Sequence, residues 1–295
     1  MANQSINTAL VIQFSNAVHV AAQQSQARLR PYVNMMQMSG DVFMYDGLGQ
    51  VEAVELTGRN PKVEWSDIEH LRRKLVRRRF AITLPIDKMD VNGMLADPNG
   101  LYSKACVMAI MRKFDAIVVE AAFATVYTGR DGDTAVTAAT DGVETVDATG
   151  GLTYNALLDI RRTYMDNDVG NDTPEKIALC ITGDEYDALM SDDEIINSDY
   201  SAGGHASSGM VESAAGINFV KFAGEVANPI IGMGVTYREC IALTSRAMVV
   251  GMSKELAVAV EDRTDYYDTT QVKVTICFGA VRTEGVLVQK VTTTT

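Results

Sequence analysis

Aromatic residues are scarce in this chain of 295 residues: Phe, Trp and Tyr together make up 7%, with a single tryptophan, Trp65. A core made from such a composition rests on Ala, Val, Ile, Leu and Met, which suits thin sheets and close packing. Cysteine is limited to Cys106, Cys180, Cys240 and Cys277, far apart and without a short ligand or redox spacing. Buried thiols in a reducing compartment are therefore expected, and a disulfide framework is not. Cations are outnumbered: 26 Lys and Arg against 38 Asp and Glu give a net charge of -12, which argues against a protein that works mainly by neutralising phosphates. No uncharged apolar run reaches the ~18 residues a helix needs to cross a bilayer. Met1-Ala2-Asn3-Gln4-Ser5 starts no secretory signal, so a soluble protein with no membrane partner is expected. What is present, 47% hydrophobic and 22% charged residues, can bury a substantial core.

Reaction machinery is sparse too. His19, His70 and His205 lie in an uncharged N-terminal stretch, beside a basic run and in a Gly-Ser loop, and no two have the spacing that presents paired imidazoles to a metal. There is no phosphate-cradling Gly-Lys loop, and Gly232-Met233-Gly234 lacks the further glycine of a dinucleotide turn. Gly204-His205-Ala206-Ser207-Ser208-Gly209 lacks the spacing and leading strand of a nucleophile elbow. Asp131-Gly132-Asp133 and Asp192-Asp193-Glu194 do not continue into a calcium loop and read as solvated turns. No catalytic residue, cofactor or metal is expected, and the chain reads as a non-enzyme.

Along the chain, residues 3–27 carry Ile6, Leu10, Phe14, Ala17 and Val18 at helical intervals among polar residues. That thin stripe suits either an arm leaning on a partner or an ordinary docked helix. From Leu29 to Leu84, turn residues separate short β-like runs, a hairpin with little to bury and in need of a neighbour. Excising Met35 to Lys62 is expected to leave a foldable subunit. Ser66-Asp67-Ile68-Glu69 has the capping-box pattern and predicts a helical turn, followed by a strand with Lys74, Val76, Arg78, Phe80 and Ile82 on one face.

Leu101 to Tyr127 is the clearest helix, led in by Asp97-Pro98-Asn99-Gly100 and ended by Thr128-Gly129, and at about 40 Å it suits a strut. Residues 129–151 alternate as a loose hairpin. Thr153 caps a helix to Asp166, and a buried strand over 176–181 leads into a helix over 184–190. After a polar stretch from Asp192 to Gly209, strands are expected at 217–222, 240–243, 247–252 joined to 256–260, 272–278 and 286–288. A turn region at Gly279 to Gly285 separates the last two, and a threonine tail closes the chain.

One strong charge feature stands out: Arg72, Arg73, Lys74, Arg77, Arg78 and Arg79 in an otherwise acidic chain. It fits a solvated face, a nucleic-acid contact, or pairing with carboxylates of another copy. The bidentate geometry of arginine with carboxylates favours an intersubunit contact.

The order of parts resembles the major capsid proteins of tailed bacteriophages, with the α+β Hong Kong 97-type fold. The resemblance lies in Ile68-Glu69-His70-Leu71-Arg72-Arg73-Lys74, Ile86-Asp87-Lys88-Met89-Asp90, Asp97-Pro98-Asn99-Gly100-Leu101-Tyr102 and Arg112-Lys113-Phe114-Asp115. It continues in Ile181-Thr182-Gly183-Asp184-Glu185-Tyr186-Asp187-Ala188-Leu189-Met190, Ala215-Gly216-Ile217 and Gly279-Ala280-Val281-Arg282. It implies an N-terminal arm (1–27), an extended β-hairpin loop (28–84), a peripheral domain with a spine helix (85–150 and 262–295) and an axial domain (151–261). It also implies self-assembly into hexamers and pentamers of an icosahedral shell, in the virion, around double-stranded DNA held without sequence-specific binding. The implied partners are other copies, a portal protein and, because the arm starts at Met1, a separate scaffolding protein; assembly would take place in the bacterial host cytoplasm. Some members of the family crosslink through a lysine; Lys62, Lys74 and Lys88 have no Asn or Glu placed beside them by the sequence, so no crosslink is expected. The alternative is an encapsulin-type cellular nanocompartment shell of the same fold.

Overall fold

The computed structural model describes residues 23–53, 55, 62, 65–86, 98–171, 175–196, 211–224, 231–233, 237–263, 265 and 269–294. Most of the arm expected at 1–27, the Gly-Ser loop of His205, and Lys88 lie outside the described residues. In chain order the elements are β1 (Asn34–Gln37), β2 (Val42–Leu48), β3 (His70–Val76), β4 (Arg78–Ile86), α1 (Pro98–Phe123), β5 (Val126–Thr128), β6 (Thr134–Val136), β7 (Glu144–Ala148) and α2 (Tyr154–Asp166). Then follow β8 (Ile177–Ile181), α3 (Gly183–Met190), α4 (Asp193–Ile196), β9 (Ser213–Ala214), β10 (Ile217–Lys221), β11 (Gly232–Met233), β12 (Tyr237–Thr244), β13 (Met248–Arg263), β14 (Thr269–Arg282) and β15 (Val288–Thr294). The described residues divide into a smaller unit, Arg79–Met111 with Lys254–Ile276, and a larger one, Ala27–Arg78, Arg112–Ser253 and Cys277–Thr295.

The expected strut is there but shifted. α1 runs for 26 residues, about 39 Å, and takes Pro98 into its first turn, where a missing N–H costs nothing. It stops at Phe123, because Val126–Thr128 turn back as β5 to pair antiparallel with β6, Tyr127 opposite Ala135. The loose hairpin expected over 129–151 is therefore two things: the tight β5–β6 hairpin, and a separate β7 that pairs parallel with β15.

The helical turn expected at Ser66–Glu69 is absent: these residues are irregular, and the strand starts at His70. The single face expected for Lys74, Val76, Arg78, Phe80 and Ile82 is broken at Arg77. Before it, Arg73 and Leu75 are the buried residues; after it, Phe80, Ile82 and Leu84 face inward while Arg79, Ala81, Thr83 and Pro85 are exposed. The parity switches because β3 pairs with β2, whereas β4 lies beside β14 in a different sheet.

In the smaller unit, β4 and the outer lengths of β13 and β14 are half-buried strands, with Val272, Val274 and Ile276 inside by strict alternation. Their far end is tied by Arg263, whose Nε donates to Asp265 at 2.7 Å, and by Thr270, which donates to Asp262 at 2.8 Å.

The larger unit holds a mixed sheet ordered β7-β15-β12-β8-β10-β9, with β11 paired to β12. All five residues of β8 are buried, as a central strand covered on both faces requires. Thr153 caps α2 as expected, its hydroxyl accepting the Ala156 amide. Four strands run further than the sequence indicates: β12, β13, β14 and β15. β14 continues through the Gly279 region to Arg282, and the threonine tail is the end of β15, with Thr292–Thr294 paired to Tyr237–Glu239. β-Branched residues without turn chemistry simply extend the ladder.

One buried ionic cluster in this unit has a pH consequence. The Glu185 carboxylate accepts from the Thr182 amide at 2.8 Å, the Thr293 hydroxyl at 2.8 Å and the Arg238 guanidinium at 3.1 Å, and also from the Thr182 hydroxyl. Burial pushes its pKa up, but the Thr182 and Thr293 hydrogen bonds and Arg238 outweigh that and hold it below the ordinary carboxylate value. A depressed folded-state pKa gives stability that is present above the unfolded value of about 4.3 and lost as pH falls through the folded one. Glu185→Gln is expected to lower the denaturation free energy by about 1–3 kcal/mol at pH 7, and the difference should narrow as pH falls below the ordinary carboxylate value.

Candidate assembly site: the basic hairpin and its mount

The hairpin β2–β3 pairs Val42 to Leu48 with Val76 to His70, one residue against one, so alternate residues share a face. Phe43 and Tyr45 point the same way as Arg73 and Leu75, and this inner face joins a core of Met38, Leu75, Val126, Val249 and Val281. Leu75 is fully buried and Met38 nearly so. The stretch expected to have little to bury is thus well anchored at its base. β1 belongs to that base as well, parallel to Val249–Met252, with the Met38 amide donating to the Met252 carbonyl at 3.0 Å. Excising Met35 to Lys62 would remove β1 and Met38 and so takes part of the hairpin's base with it.

The outer face carries Met44, Lys74, Asp46 and Arg72, and the β5–β6 turn lies over it. Gly132, at φ +69°, comes so close that a Cβ there would sit 2.8 Å from Lys74 Cδ and 3.1 Å from Met44 Cε. Asp131-Gly132-Asp133 is therefore a covering turn, with the left-handed position taken by glycine.

The six basic residues take different positions. Arg72 makes a bidentate pair with its cross-strand partner Asp46, at 2.6 and 3.0 Å, and donates to the Arg130 carbonyl at 3.0 Å. This pairing holds the Asp46 carboxyl below its ordinary range. Lys74 reaches the Gly132 carbonyl at 3.4 Å. Arg77 pairs with Asp41 and donates to Ser253 Oγ at 3.1 Å. Arg78 meets Glu120 at 3.0 Å, and Arg79 is exposed at the start of β4.

Arg73 is different, because it is buried. Its Nη2 donates to Asp141 Oδ1 at 2.6 Å and its Nε to the Thr283 carbonyl at 3.0 Å. The other oxygen of Asp141 takes Arg282 Nε at 2.7 Å, and Arg282 Nη1 donates to the Ala122 carbonyl at 2.5 Å, capping the C-terminal end of α1. One carboxylate thus joins the hairpin, the end of β14 and, through Arg282, the spine helix; the side-chain exposures of Arg73, Asp141 and Arg282 are 6%, 6% and 0%. Two glycines admit the close approach. A Cβ on Gly279 would lie 2.3 Å from the Val76 carbonyl oxygen, and one on Gly285 would lie 2.1 Å from that of Asp141. Sequence reasoning missed Asp141, which sits in a Thr-Ala-Gly stretch with no motif. The available signal was Arg282: a cation ending the apolar run Val274 to Val281 needs a buried counter-charge.

Among the described residues no group of His, Cys, Asp and Glu is placed to hold a metal ion. No helix among the described residues is long and apolar enough to cross a membrane.

What such a strand-rich α+β chain with an anchored basic hairpin is similar to comes from comparison with known proteins. The family model described as phage capsid protein matches residues 6–294, so the chain belongs to the phage capsid protein family. Its work is that of a major capsid protein of a tailed phage, with the α+β Hong Kong 97-type fold expected from the sequence. Solved structures with this fold include the capsid of the cyanophage P-SCSP1u (TM-score 0.75, 14% identity, covering 98% of this chain and 94% of that one). The acid-stable capsid of Helicobacter pylori bacteriophage KHP30 is similar over 99% of this chain and 97% of its own, at TM-score 0.74 and 11% identity. Mycobacterium phage Che8 gives 0.71 and 12%, over 99% and 98%. No curated protein shows significant sequence similarity.

Proposed function

We propose that copies of this chain assemble into hexamers and pentamers that close an icosahedral shell around packaged double-stranded DNA, acting structurally and without catalysis. The observation that carries this reading is an unsatisfied limb: beyond the Leu48–His70 pair, Val51 and Trp65 are 51% and 101% exposed. A monomeric soluble protein has no use for a bare indole beside an exposed valine, whereas an interface does.

In this reading residues 1–27 act as the arm and 28–84 as the extended loop. Residues 85–150 and 262–295 form the peripheral domain, and 151–261 form the axial domain. Arg72, Arg73, Lys74, Arg77, Arg78 and Arg79 are proposed as an intersubunit region in which Arg73 serves by orienting the hairpin and Arg79, exposed, serves by direct contact. A separate scaffolding protein and a portal protein complete the partners, with assembly in the host cytoplasm and no crosslink. A net charge of -12 favours a wall that does not grip the genome.

Electron microscopy of the purified protein, co-produced with its scaffolding partner, tests the proposal. Closed particles of uniform size are the expected result; a population of discrete monomers or dimers under every condition would overturn it.

A further inference from the structure

Asp115 sits in α1 with no solvent exposure, and its carboxylate accepts two backbone amides from outside the helix: Arg28 N on Oδ2 at 2.9 Å and Leu29 N on Oδ1 at 3.1 Å. These amides stand at the start of a short 3-10 turn, Arg30–Tyr32, where N–H groups have no partner within the turn itself. Leu29 is fully buried beside them. The Arg28 side chain makes a second hold: its guanidinium donates to the Lys221 carbonyl and stands 5.7 Å from the centre of the Phe222 ring. The neighbouring Lys221 ammonium lies 4.0 Å from the Tyr186 ring, and the Tyr186 hydroxyl accepts the Val211 amide at 2.9 Å. Before Arg28, residues 1–27 contain no Lys, Arg, Asp or Glu, so the chain passes at this point from an uncharged segment to its first charged residue.

We propose that Asp115 is a positioning residue that fixes the place and heading of the chain at Arg28 and Leu29, where the N-terminal segment joins the rest. It acts through the Arg28 and Leu29 amides, with Arg28 on Phe222 as the second hold. A carboxylate bridging two consecutive amides sets the heading of the chain as an N-cap does, but from another element, so the hold is tertiary and lasts only while α1 is formed. Residues 28 and 29 are then a fixed root and not part of a swinging segment. The consequence for a shell, that each copy sends its N-terminal segment out along one course, rests on the capsid reading; the root itself does not.

The sequence supplies a clean assay. Arg28–Leu29 is the first bond trypsin can cut, and Arg30 is shielded by Pro31, so loss of residues 1–28 appears as one discrete shift. On the purified full chain, Asp115→Asn is expected to speed cleavage after Arg28 about tenfold relative to cleavage of the remaining chain. Phe222→Leu, which leaves the carboxylate in place, is expected to speed it about threefold. Deuterium uptake at the Arg28 and Leu29 amides should rise in both. If Asp115→Asn does not fold, the Phe222→Leu measurements decide alone. Parental cleavage and uptake in Phe222→Leu would overturn the proposal. So would Arg28 cleavage in Asp115→Asn that rises only in step with loss of the whole chain, since that marks general destabilisation. The assay does not depend on assembly, so a chain that never forms shells can still pass or fail it.

Discussion

Asp141→Ala lowers the unfolding free energy of the subunit by about 3–5 kcal/mol, the range for removing one partner from a buried ionic group, and denaturant midpoints on unassembled protein measure it. The size follows from what stays behind. Arg73 and Arg282 keep their places, 6% and 0% exposed, and lose the carboxylate that both share. Two cations then face each other in a dry site. Against a total stability of about 5–15 kcal/mol, this is between about a fifth and the whole of what keeps the subunit folded. Asp141→Asn keeps the shape and one acceptor and should fall between. A cycle with Arg73→Met should recover part of the loss, since removing the second cation removes part of the repulsion. Asp141→Ala within 1 kcal/mol of the parent would mean that the mount is not held by this cluster, and Gly279→Ala, which forces a Cβ against the Val76 carbonyl, would then have to carry the same test by sterics.

The parts of the fold that were legible in the sequence are those in which one segment decides its own structure. α1 has helical spacing and no internal breaker after Gly100, α2 has its Thr153 cap, and β8 is a continuous apolar run. What misled was local chemistry overruled by tertiary pairing. Ser66 to Glu69 has every residue a capping box asks for, yet the chain there leads into a strand whose partner is β2. Gly279 reads as a turn, and in the structure its missing side chain lets the Val76 carbonyl pass; it stays within β14. The basic run was visible as charge, but Asp41, Asp46, Glu120 and Asp141 meet four of its members within the same chain. Such pairs come from strands, loops and a helix up to 68 residues apart, a separation that no periodicity reports.

The distal hairpin allows folding to be separated from assembly. Gly49 N donates to the Glu69 carbonyl at 2.7 Å, and this is the last backbone bond between the two strands among the described residues, with 50–68 lying beyond it in the chain. Of the described residues among them only Ile68 is half-buried; the rest are exposed. Replacing 50–68 with Asn-Gly gives a two-residue turn matched to the strand twist, and it should leave the midpoint of the subunit unchanged or slightly raised, because a shorter loop costs less entropy to close. Shell formation should be abolished.

Trp65→Ala makes the same separation with one side chain. An indole that is 101% exposed contributes nothing to the lone subunit, so its stability should change by less than about 0.5 kcal/mol, while an aromatic anchor at an interface carries about 2 kcal/mol or more per contact. Repeated at every copy in a closed shell, that loss is expected to raise the protein concentration needed for assembly at least about thirtyfold. As the only tryptophan, Trp65 also reports its own burial. Its emission should be that of a water-exposed indole before assembly and move to the blue as shells form. If shells close around Trp65→Ala and around the shortened hairpin at the parental concentration, with Trp65 emission unmoved in the parent, the segment 50–68 is not the joint between copies.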